Sequence, residues 1–220
     1  MTARYFAAAD LGASSGRVIL GKLENGRFEL SETGRFGNGP VKAADGSYHT
    51  DATALFGHIR SGLEAAIEAS GGALESVGVD TWGVDYGRLD AAGQLLESPF
   101  HYRDDRTLGV PELVFGALPA EQLYATAGLQ VLAFNTIFQL VAGREDARWP
   151  EVATILLIPD LMAYWLSGRQ VAEMTIASTT GLLDVAGRRW SAALIDHLAE
   201  QYGLPLAQVL PELVEPGTVL

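Results

Sequence analysis

Hydrophobic and polar positions near the start of the chain follow the alternation that is typical of β-strands. Three strand-like runs follow one another at short spacing: Tyr5–Ala9, Arg17–Leu23 and Arg27–Phe36. A Glu-Asn-Gly sequence at 24–26 separates the second run from the third and is a turn signal. In the third run, Phe28 and Leu30 alternate with polar neighbours, as in a strand with one buried and one wet face. The pattern predicts an antiparallel meander of three strands.

The apolar period lengthens to four residues after residue 50. Asp51 is a suitable N-cap and Gly71-Gly72 is a stop signal, so a helix is predicted between them. Its expected apolar stripe consists of Leu55, Ile59, Leu63 and Ile67. The run Val77–Val79 then predicts a buried strand that continues into Asp80–Asp85, and a hairpin is predicted through Asp90–Gly93.

Helical patterns dominate the second half of the chain. Between residues 111 and 147 they are interrupted at Gly116, Pro119 and Gly128. Thr154–Ile158 predicts a core strand, which is followed by a helix that ends at Gly168. A last helix is predicted from the N-cap Ser191 to Gly203. Strands, a helix and a further strand in this order indicate an α/β fold.

Composition and charge narrow the range of partners. The 220 residues contain 48% hydrophobic and 19% charged residues, as expected of a globular protein. Lys and Arg number 15 against 27 Asp and Glu, which gives a net charge of -12 without a basic block. Nucleic acid and membrane are therefore predicted not to be partners. A cytoplasmic location is expected, since no apolar stretch approaches the roughly 18 residues of a membrane-spanning helix. The chain has no cysteine, which excludes disulfides and thiolate chemistry.

The first predicted strand leads an aspartate into a loop of small residues that is closed by an arginine, Asp10–Arg17. A tight Gly/Ser loop directs successive backbone N–H groups into one concavity that attracts phosphate oxygens, and a carboxylate at a strand end holds Mg²⁺ through water. An ordinary hairpin explains the same residues, so the loop by itself leaves both interpretations open.

A second polar segment, Asp80–Asp85, follows the predicted buried strand at a position where α/β proteins place ligand contacts. Trp82 offers a flat apolar face to the C–H groups of a sugar, and Gly83 allows a polyhydroxylated ligand to approach the backbone. A core tryptophan flanked by surface aspartates is the alternative interpretation. The histidines lack the spacing of metal ligands and are interpreted as structural or surface residues: His49, His58, His101 and His197.

Five ordered motifs carry a family resemblance: DLGASSGR, GVDTWGVD, YRDDRT, GLQVLAFNTIFQL, and IPDLMAYWLSG with EMTIASTTGLLD. In order and spacing they resemble the first domain of the FGGY carbohydrate kinases, over essentially the whole chain. Where the wider family usually has a lysine and a tryptophan, this chain has Gln139 and Ala142. That departure favours L-rhamnulose over glycerol or xylulose as the sugar.

The resemblance implies an actin-like, ribonuclease-H-like domain, with a mixed sheet that contains the three-strand meander and with flanking helices. It implies that residues 1–220 form the N-terminal domain of such a kinase. A C-terminal kinase domain, which is not part of this chain, would be its partner. The apolar pair Val219-Leu220 after Pro216-Gly217 fits the entrance to a further strand.

The resemblance also assigns ligands to particular residues. The phosphates of ATP would contact Ala13, Ser14, Ser15, Gly16 and Arg17. Asp10 would orient hydrated Mg²⁺, while Trp82 and Gly83 would line the sugar pocket.

The implied reaction is ATP-dependent phosphorylation of a ketose, with L-rhamnulose 1-phosphate as the expected product and fuculose or xylulose as alternative substrates. The family's general base is an aspartate of a His-Asp-Thr-type segment in the second half, and no His-Asp pair occurs in this chain. The chain is therefore predicted to supply half of the active site and to be inactive by itself. A sugar- or nucleotide-binding module without catalysis and an actin-fold assembly module are two further alternatives.

Overall fold

A computed structural model describes residues 2–220. The strands of this part of the chain are β1 (Arg4–Leu11), β2 (Ser15–Glu24), β3 (Arg27–Gly37), β4 (Val41–Lys42), β5 (Tyr48–His49), β6 (Leu74–Thr81), β7 (Tyr86–Leu89), β8 (Thr154–Leu157), β9 (Val171–Glu173), β10 (Leu183–Asp184), β11 (Arg189–Trp190) and β12 (Glu212–Val214). The α-helices are α1 (Ala52–Ala69), α2 (Val110–Phe115), α3 (Ala120–Ala127), α4 (Thr136–Ala142), α5 (Ile158–Ser167), α6 (Met174–Ala177), α7 (Ala192–Tyr202) and α8 (Leu206–Val209). Turns of 3₁₀-helix lie at Asp105–Thr107, Trp149–Glu151 and Ser178–Thr180.

The chain divides into two compact units. The first comprises residues 2–41 and 51–82, and the second comprises residues 42–50 and 83–220. The first unit contains a four-stranded sheet in the order β3-β2-β1-β6. β1 pairs antiparallel with β2, and β2 pairs antiparallel with β3, which confirms the predicted meander. β6 lies parallel to β1, so the carboxyl ends of these two strands meet at the same edge of the sheet.

Helix α1 begins where the sequence predicts it. The Asp51 carboxylate caps it by accepting a hydrogen bond from the Ala54 amide at 2.9 Å. Three members of the predicted stripe are buried, namely Leu55, Ile59 and Leu63. The prediction for the fourth member, Ile67, is wrong, because this side chain is 47% exposed and Ala66 is buried instead. A four-residue spacing drifts around a helix of 3.6 residues per turn, so the last member of the stripe rotates away from the sheet.

The prediction that Phe28 and Leu30 lie on a buried face of β3 is also wrong. Phe28 is 59% exposed and Leu30 is 65% exposed. Helix α1 packs on the opposite face of the sheet, where a Cβ added at Gly62 would lie 2.5 Å from Val18 Cγ2. Leu30 is the register partner of Gly21, three residues beyond Val18, and therefore belongs to the other face. The alternation identified a strand correctly but not the face that the helix covers.

The second unit is mainly helical, and its strands β7 and β8 pair antiparallel with Tyr86 opposite Leu157. The predicted interruptions fall between α2, α3 and α4, which confirms those helices. Pro159 lies in the first turn of α5, where a helix does not use the missing N–H. Helix α7 is capped by Ser191 and ends at Gly203, whose φ of 69° is the left-handed conformation that favours glycine.

A ring of four charges lies inside the second unit. Arg88, with a side chain that is 6% exposed, pairs with Glu97 at 2.6 Å and also with Asp146. Arg148 lies 2.7 Å from Glu97 and 3.6 Å from Asp146, which closes the ring. Arg88, Glu97 and Asp146 line a cavity of about 420 Å³. Each buried charge is thus paired, as burial of ions in a protein interior requires.

Candidate functional site

The loop between β1 and β2 is a braced hairpin tip. The Gly12 amide donates a hydrogen bond to the Ser15 carbonyl at 2.9 Å. Asn38, which follows β3 and is 6% exposed, supports the loop from outside. Its amide donates to the Ser14 carbonyl at 3.0 Å, and its Nδ2 donates to the Gly12 carbonyl at 2.6 Å. The carbonyls of Gly12, Ser14 and Ser15 are therefore hydrogen-bonded within the protein.

The amide groups of the same tip differ from its carbonyls in their hydrogen bonding. Within residues 2–220, no hydrogen bond is donated by the amides of Ala13 or Ser14, and both residues are exposed. Gly16 is buried because Phe36 packs on its α-carbon, where an added Cβ would lie 2.3 Å from the ring. When the carbonyls of a loop are hydrogen-bonded within the protein and its amides are not, the amides can donate hydrogen bonds to phosphate oxygens.

Asp10 lies directly beside this loop, at the end of β1. Its Oδ2 accepts a hydrogen bond from Arg17 Nε at 2.9 Å and lies 2.8 Å from Nη2 of the same guanidinium, with which it forms an ion pair. Asp80, on the parallel strand β6, is the register partner of Asp10, so both carboxylates stand on the same face of the sheet. Mg²⁺ in phosphoryl-transfer sites is held by one or two carboxylates together with phosphate oxygens and water. The donor set at this edge therefore fits hydrated Mg²⁺.

Trp82 emerges at the same edge of the sheet. It follows Thr81, which is the register partner of Leu11 at the end of β1. The Thr81 hydroxyl donates to the Trp82 carbonyl at 2.7 Å and thereby fixes the chain as it leaves the strand. The structure thus brings the hairpin tip, Asp10 and Trp82 to one edge of the first unit. The order of the strands causes this, since β1 and β6 are parallel neighbours.

Gly83 begins the second unit, and its α-carbon is closely covered. A Cβ added there would lie 2.7 Å from Oγ1 and 2.8 Å from Cγ2 of Thr179. The Thr179 hydroxyl also accepts a hydrogen bond from the Val84 amide at 3.2 Å. Packing within the protein is therefore one reason for a glycine at this position, because a larger side chain would collide with Thr179. That reason is independent of the predicted approach of a ligand.

The two aspartates of the polar segment have different environments. Asp80 is exposed at the sheet edge, whereas Asp85 is fully buried in the second unit. The Asp85 carboxylate accepts from Gln139 Nε2 and from the Tyr102 amide, both at 3.1 Å. Gln139 Oε1 in turn accepts from Arg106 Nη2 at 3.0 Å. Asp85 thus anchors the loop that carries the YRDDRT motif, and the two aspartates of this segment divide between an exposed sheet edge and a buried hydrogen-bond network.

Asn38, Thr136 and Thr179 hold this part of the structure in place, and none of them had a role predicted from the sequence. Asn38 had a weak signal, because a single amide side chain stands between glycines at 37–39, directly after the meander. Thr136 and Thr179 lie in two of the five ordered motifs, but nothing in those motifs indicates which groups they contact. Their partners are distant in the sequence, and threonines at helix starts and turns are common without any further role.

Two buried groups of the second unit have displaced pKa values. Burial lowers the pKa of His101 to about 4, and the positive charge of Arg103 acts in the same direction. The Arg103 amide donates to His101 Nδ1 at 3.1 Å, which suits a neutral ring. Burial raises the pKa of Asp160 to about 7, the hydrogen bond from the Glu173 amide opposes the rise, and the Glu173 charge adds to it.

Asp160→Asn is expected to remove part of the pH dependence of stability. The folded pKa of about 7 lies above the ordinary value of 3.8, so the folded protein retains a proton that the unfolded chain releases between these values. The stabilisation by protonated Asp160 is complete below the lower value and is lost as the pH rises to the upper one. Denaturant unfolding near pH 8 should show the variant to be more stable than the parent, by up to about 4 kcal/mol.

Near pH 4 the free energies of unfolding of variant and parent should nearly coincide. His101 has the opposite slope, since its neutral form stabilises the fold above its unfolded pKa and this contribution is lost toward pH 4. That slope is present in both proteins and cancels in the difference. The exposed Asp196→Asn on α7 is the matched control. A difference between variant and parent that does not change with pH would contradict the assignment.

The mixed sheet with its antiparallel meander and parallel fourth strand has the actin-like, ribonuclease-H-like fold, which confirms the predicted class. Solved structures of sugar kinases have a similar fold. A gluconate kinase from Lactobacillus acidophilus superimposes with a TM-score of 0.85 at 17% identity, over 99% of this chain and 43% of that chain. A ligand-bound xylulose kinase from the same species gives 0.84 at 17% identity, with the same two coverages of 99% and 43%.

Residues 5–220 match the N-terminal domain of the FGGY family of carbohydrate kinases, and the chain belongs to this family. A rhamnulokinase from Enterococcus faecalis is 41% identical over 219 residues, which are 99% of this chain and 42% of that protein. A rhamnulokinase from Bacteroides thetaiotaomicron is 39% identical over 198 residues, or 89% of this chain and 40% of that protein. The chain thus spans less than half the length of the curated relatives it matches. In residues 2–220, none of the helices has the length and apolar character needed to cross a membrane.

Proposed function

We propose that this chain supplies the N-terminal half of the active site of an ATP-dependent ketose kinase, and that the ketose is L-rhamnulose. One observation carries the site assignment. The open amides of the hairpin tip, the carboxylate of Asp10 and the ring of Trp82 all lie at one edge of the same sheet. Support for the sugar comes from the relatives, which are rhamnulokinases at about 40% identity along nearly the whole chain.

The proposed reaction transfers the γ-phosphoryl group of ATP to the hydroxyl on C1 of the ketose. A bond forms between that hydroxyl oxygen and the γ-phosphorus, the bond from the γ-phosphorus to the β,γ-bridging oxygen breaks, and ADP leaves. The hydroxyl proton passes to a general base that this chain does not supply and that we assign to a C-terminal domain. Such reactions depend on positioning and on neutralisation of phosphate charge more than on covalent chemistry by the protein.

Each assigned residue has a defined role in this scheme. The amides of Ala13–Gly16 and the guanidinium of Arg17 would bind phosphate oxygens. Asp10 would hold Mg²⁺ through water, and Mg²⁺ when bound supplies charge neutralisation between the phosphates. Trp82 would cover an apolar face of the sugar, while the Gly83 amide would donate to a hydroxyl.

The experiments below use a protein in which this chain is joined to a C-terminal domain of an FGGY kinase. We refer to it as the two-half protein. In this proposal residues 1–220 are its N-terminal domain, its partners are ATP and a small sugar, and neither nucleic acid nor membrane takes part. The cytoplasmic location expected above stays a prediction.

A substrate panel tests the proposed function. ADP formation by the two-half protein is followed with Mg²⁺, ATP and one sugar at a time: L-rhamnulose, L-fuculose, D-xylulose, D-gluconate or glycerol. We expect the highest kcat/KM with L-rhamnulose, by at least about tenfold, because a mismatched polar group in a sugar pocket leaves buried partners unpaired. Turnover of another sugar at the highest rate would reject L-rhamnulose and keep the kinase. Absence of turnover with all of them would reject both.

A further inference from the structure

Val84 has a backbone conformation that its side chain disfavours. Its φ is 71°, a region where a β-branched residue is an outlier. The Asp85 amide donates to the Gly83 carbonyl at 3.0 Å, which closes a three-residue γ-turn of the rare form with positive φ at its centre. Residues strained in this way persist only where their surroundings fix them, and they concentrate at ligand sites.

Three polar side chains of the second unit hold the turn. Thr136 Oγ1 donates to the Val84 carbonyl at 2.7 Å, and Gln139 Nε2 lies 3.3 Å from the same oxygen. Thr179 Oγ1 accepts from the Val84 amide at 3.2 Å and donates to the Ile176 carbonyl at 2.8 Å. Thr136 is 1% exposed and Gln139 is 2% exposed. Both backbone polar groups of Val84 are therefore engaged by side chains from elements far away in the sequence.

The turn determines the direction of the peptide that precedes it. The Gly83 carbonyl belongs to the peptide between Gly83 and Val84 and accepts from the Asp85 amide. The Gly83 amide belongs to the peptide before it, and among residues 2–220 no partner accepts its hydrogen. The contact between Thr179 and the Gly83 α-carbon fixes the point at which these two peptides join. An alternative conformation at Val84 would rotate the Gly83–Val84 peptide, break its bond to Thr179 and displace the Gly83 α-carbon. The Gly83 amide nitrogen is bonded to that carbon and would move with it.

We propose that Thr136, Gln139 and Thr179 are positioning residues, which keep the Gly83–Val84 turn in its strained form and so aim the Gly83 amide at a sugar hydroxyl. This inference rests on the proposed function, in which the ketose lies against Trp82 and Gly83. None of the three residues is assigned a contact with sugar or nucleotide. Their effect on binding passes through the backbone of one turn.

Variants of Thr136 in the two-half protein test the proposal. Thr136→Val keeps the shape and removes the hydroxyl, whereas Thr136→Ser keeps the hydroxyl. Thr136→Val should raise the calorimetric Kd for L-rhamnulose and the sugar KM by about tenfold, with kcat changed less. The Kd for Mg²⁺·ATP should stay within about twofold of the parent value, and Thr136→Ser should restore sugar binding to within about threefold.

Two further measurements separate positioning from a general loss of stability. Hydrogen–deuterium exchange should be faster in Thr136→Val for peptides that contain the Asp85 amide, whose bond to Gly83 closes the turn. Glycine adopts positive φ without strain, so in a Val84→Gly background the added Thr136→Val change should alter the sugar Kd by less than about threefold.

The outcomes divide clearly. Loss of sugar binding with rescue by serine, faster exchange at the turn and a reduced effect in the glycine background support the proposal. Parent-like sugar binding by Thr136→Val overturns it, as does an equal loss of sugar and nucleotide binding. If the parent protein itself binds no sugar, the proposed function fails and the positioning role fails with it. The exchange rates then still show whether Thr136 holds the turn.

Discussion

Asp10→Asn is expected to lower kcat of the two-half protein by about 10²–10³-fold and to leave its affinity for L-rhamnulose within about twofold. The substitution keeps the size of the side chain and removes the negative charge beside the hairpin tip. Mg²⁺ would lose the carboxylate that orients its water shell, whereas the sugar contacts at Trp82 and Gly83 would be unchanged. Steady-state ADP formation gives kcat, and calorimetric titration with L-rhamnulose gives the affinity.

Two controls give this result its meaning. Asp196→Asn removes one exposed carboxylate on α7, far along the chain, and should leave kcat within about twofold. Asp80→Asn removes the register partner of Asp10 and shows how much of the metal site depends on the second carboxylate. If Asp10→Asn retains nearly the parent kcat, the assignment of Asp10 to Mg²⁺ is wrong.

The 220-residue chain alone is expected to form no ADP above the enzyme-free rate with Mg²⁺, ATP and L-rhamnulose. It contains no residue assigned as general base, and a general base alone contributes about 10²–10⁴-fold. Only part of the nucleotide contacts would be present as well, so the two reactants would not be held in line. The effect is therefore larger than that of any single substitution proposed above.

The matched comparison is the two-half protein at the same concentration, with circular dichroism to show that the short chain is folded. Addition of a separately produced C-terminal domain provides a second control, since restored turnover would show that the short chain lacks only that partner. Sugar-dependent ADP formation by the short chain alone would contradict the division of the active site.

The elements that the sequence predicted best are those whose signals are local. The hairpin at Asp10–Arg17 combines an apolar run, a glycine-rich tip and a second apolar run within a few residues, and the structure has this hairpin. The cap at Asp51 is read from neighbouring residues in the same way. These features depend on short-range geometry, which a linear pattern records directly.

Predictions that depended on packing between elements were less successful. The exposure of Phe28 and Leu30 follows from which face of the sheet α1 covers, and a strand's alternation does not carry that information. The exposure of Ile67 follows from the 3.6-residue period of the helix, which a four-residue spacing does not match. The network around Val84 depends on Thr136, Gln139 and Thr179, which lie 52 or more residues away along the chain. The motif that contains Gly83 could be recognised in the sequence. The partners of the residues that hold Gly83 in place could be identified only from the folded structure.

The most direct test of the proposed site is a crystal structure of the two-half protein with L-rhamnulose, Mg²⁺ and a non-hydrolysable ATP analogue. We expect phosphate oxygens on the amides of Ala13–Gly16, the metal joined to Asp10 through water, and the ketose between Trp82 and the Gly83 amide. Ligand density in another place, such as the cavity lined by Arg88 and Arg106, with the hairpin tip and Trp82 both free of ligand, would contradict the account.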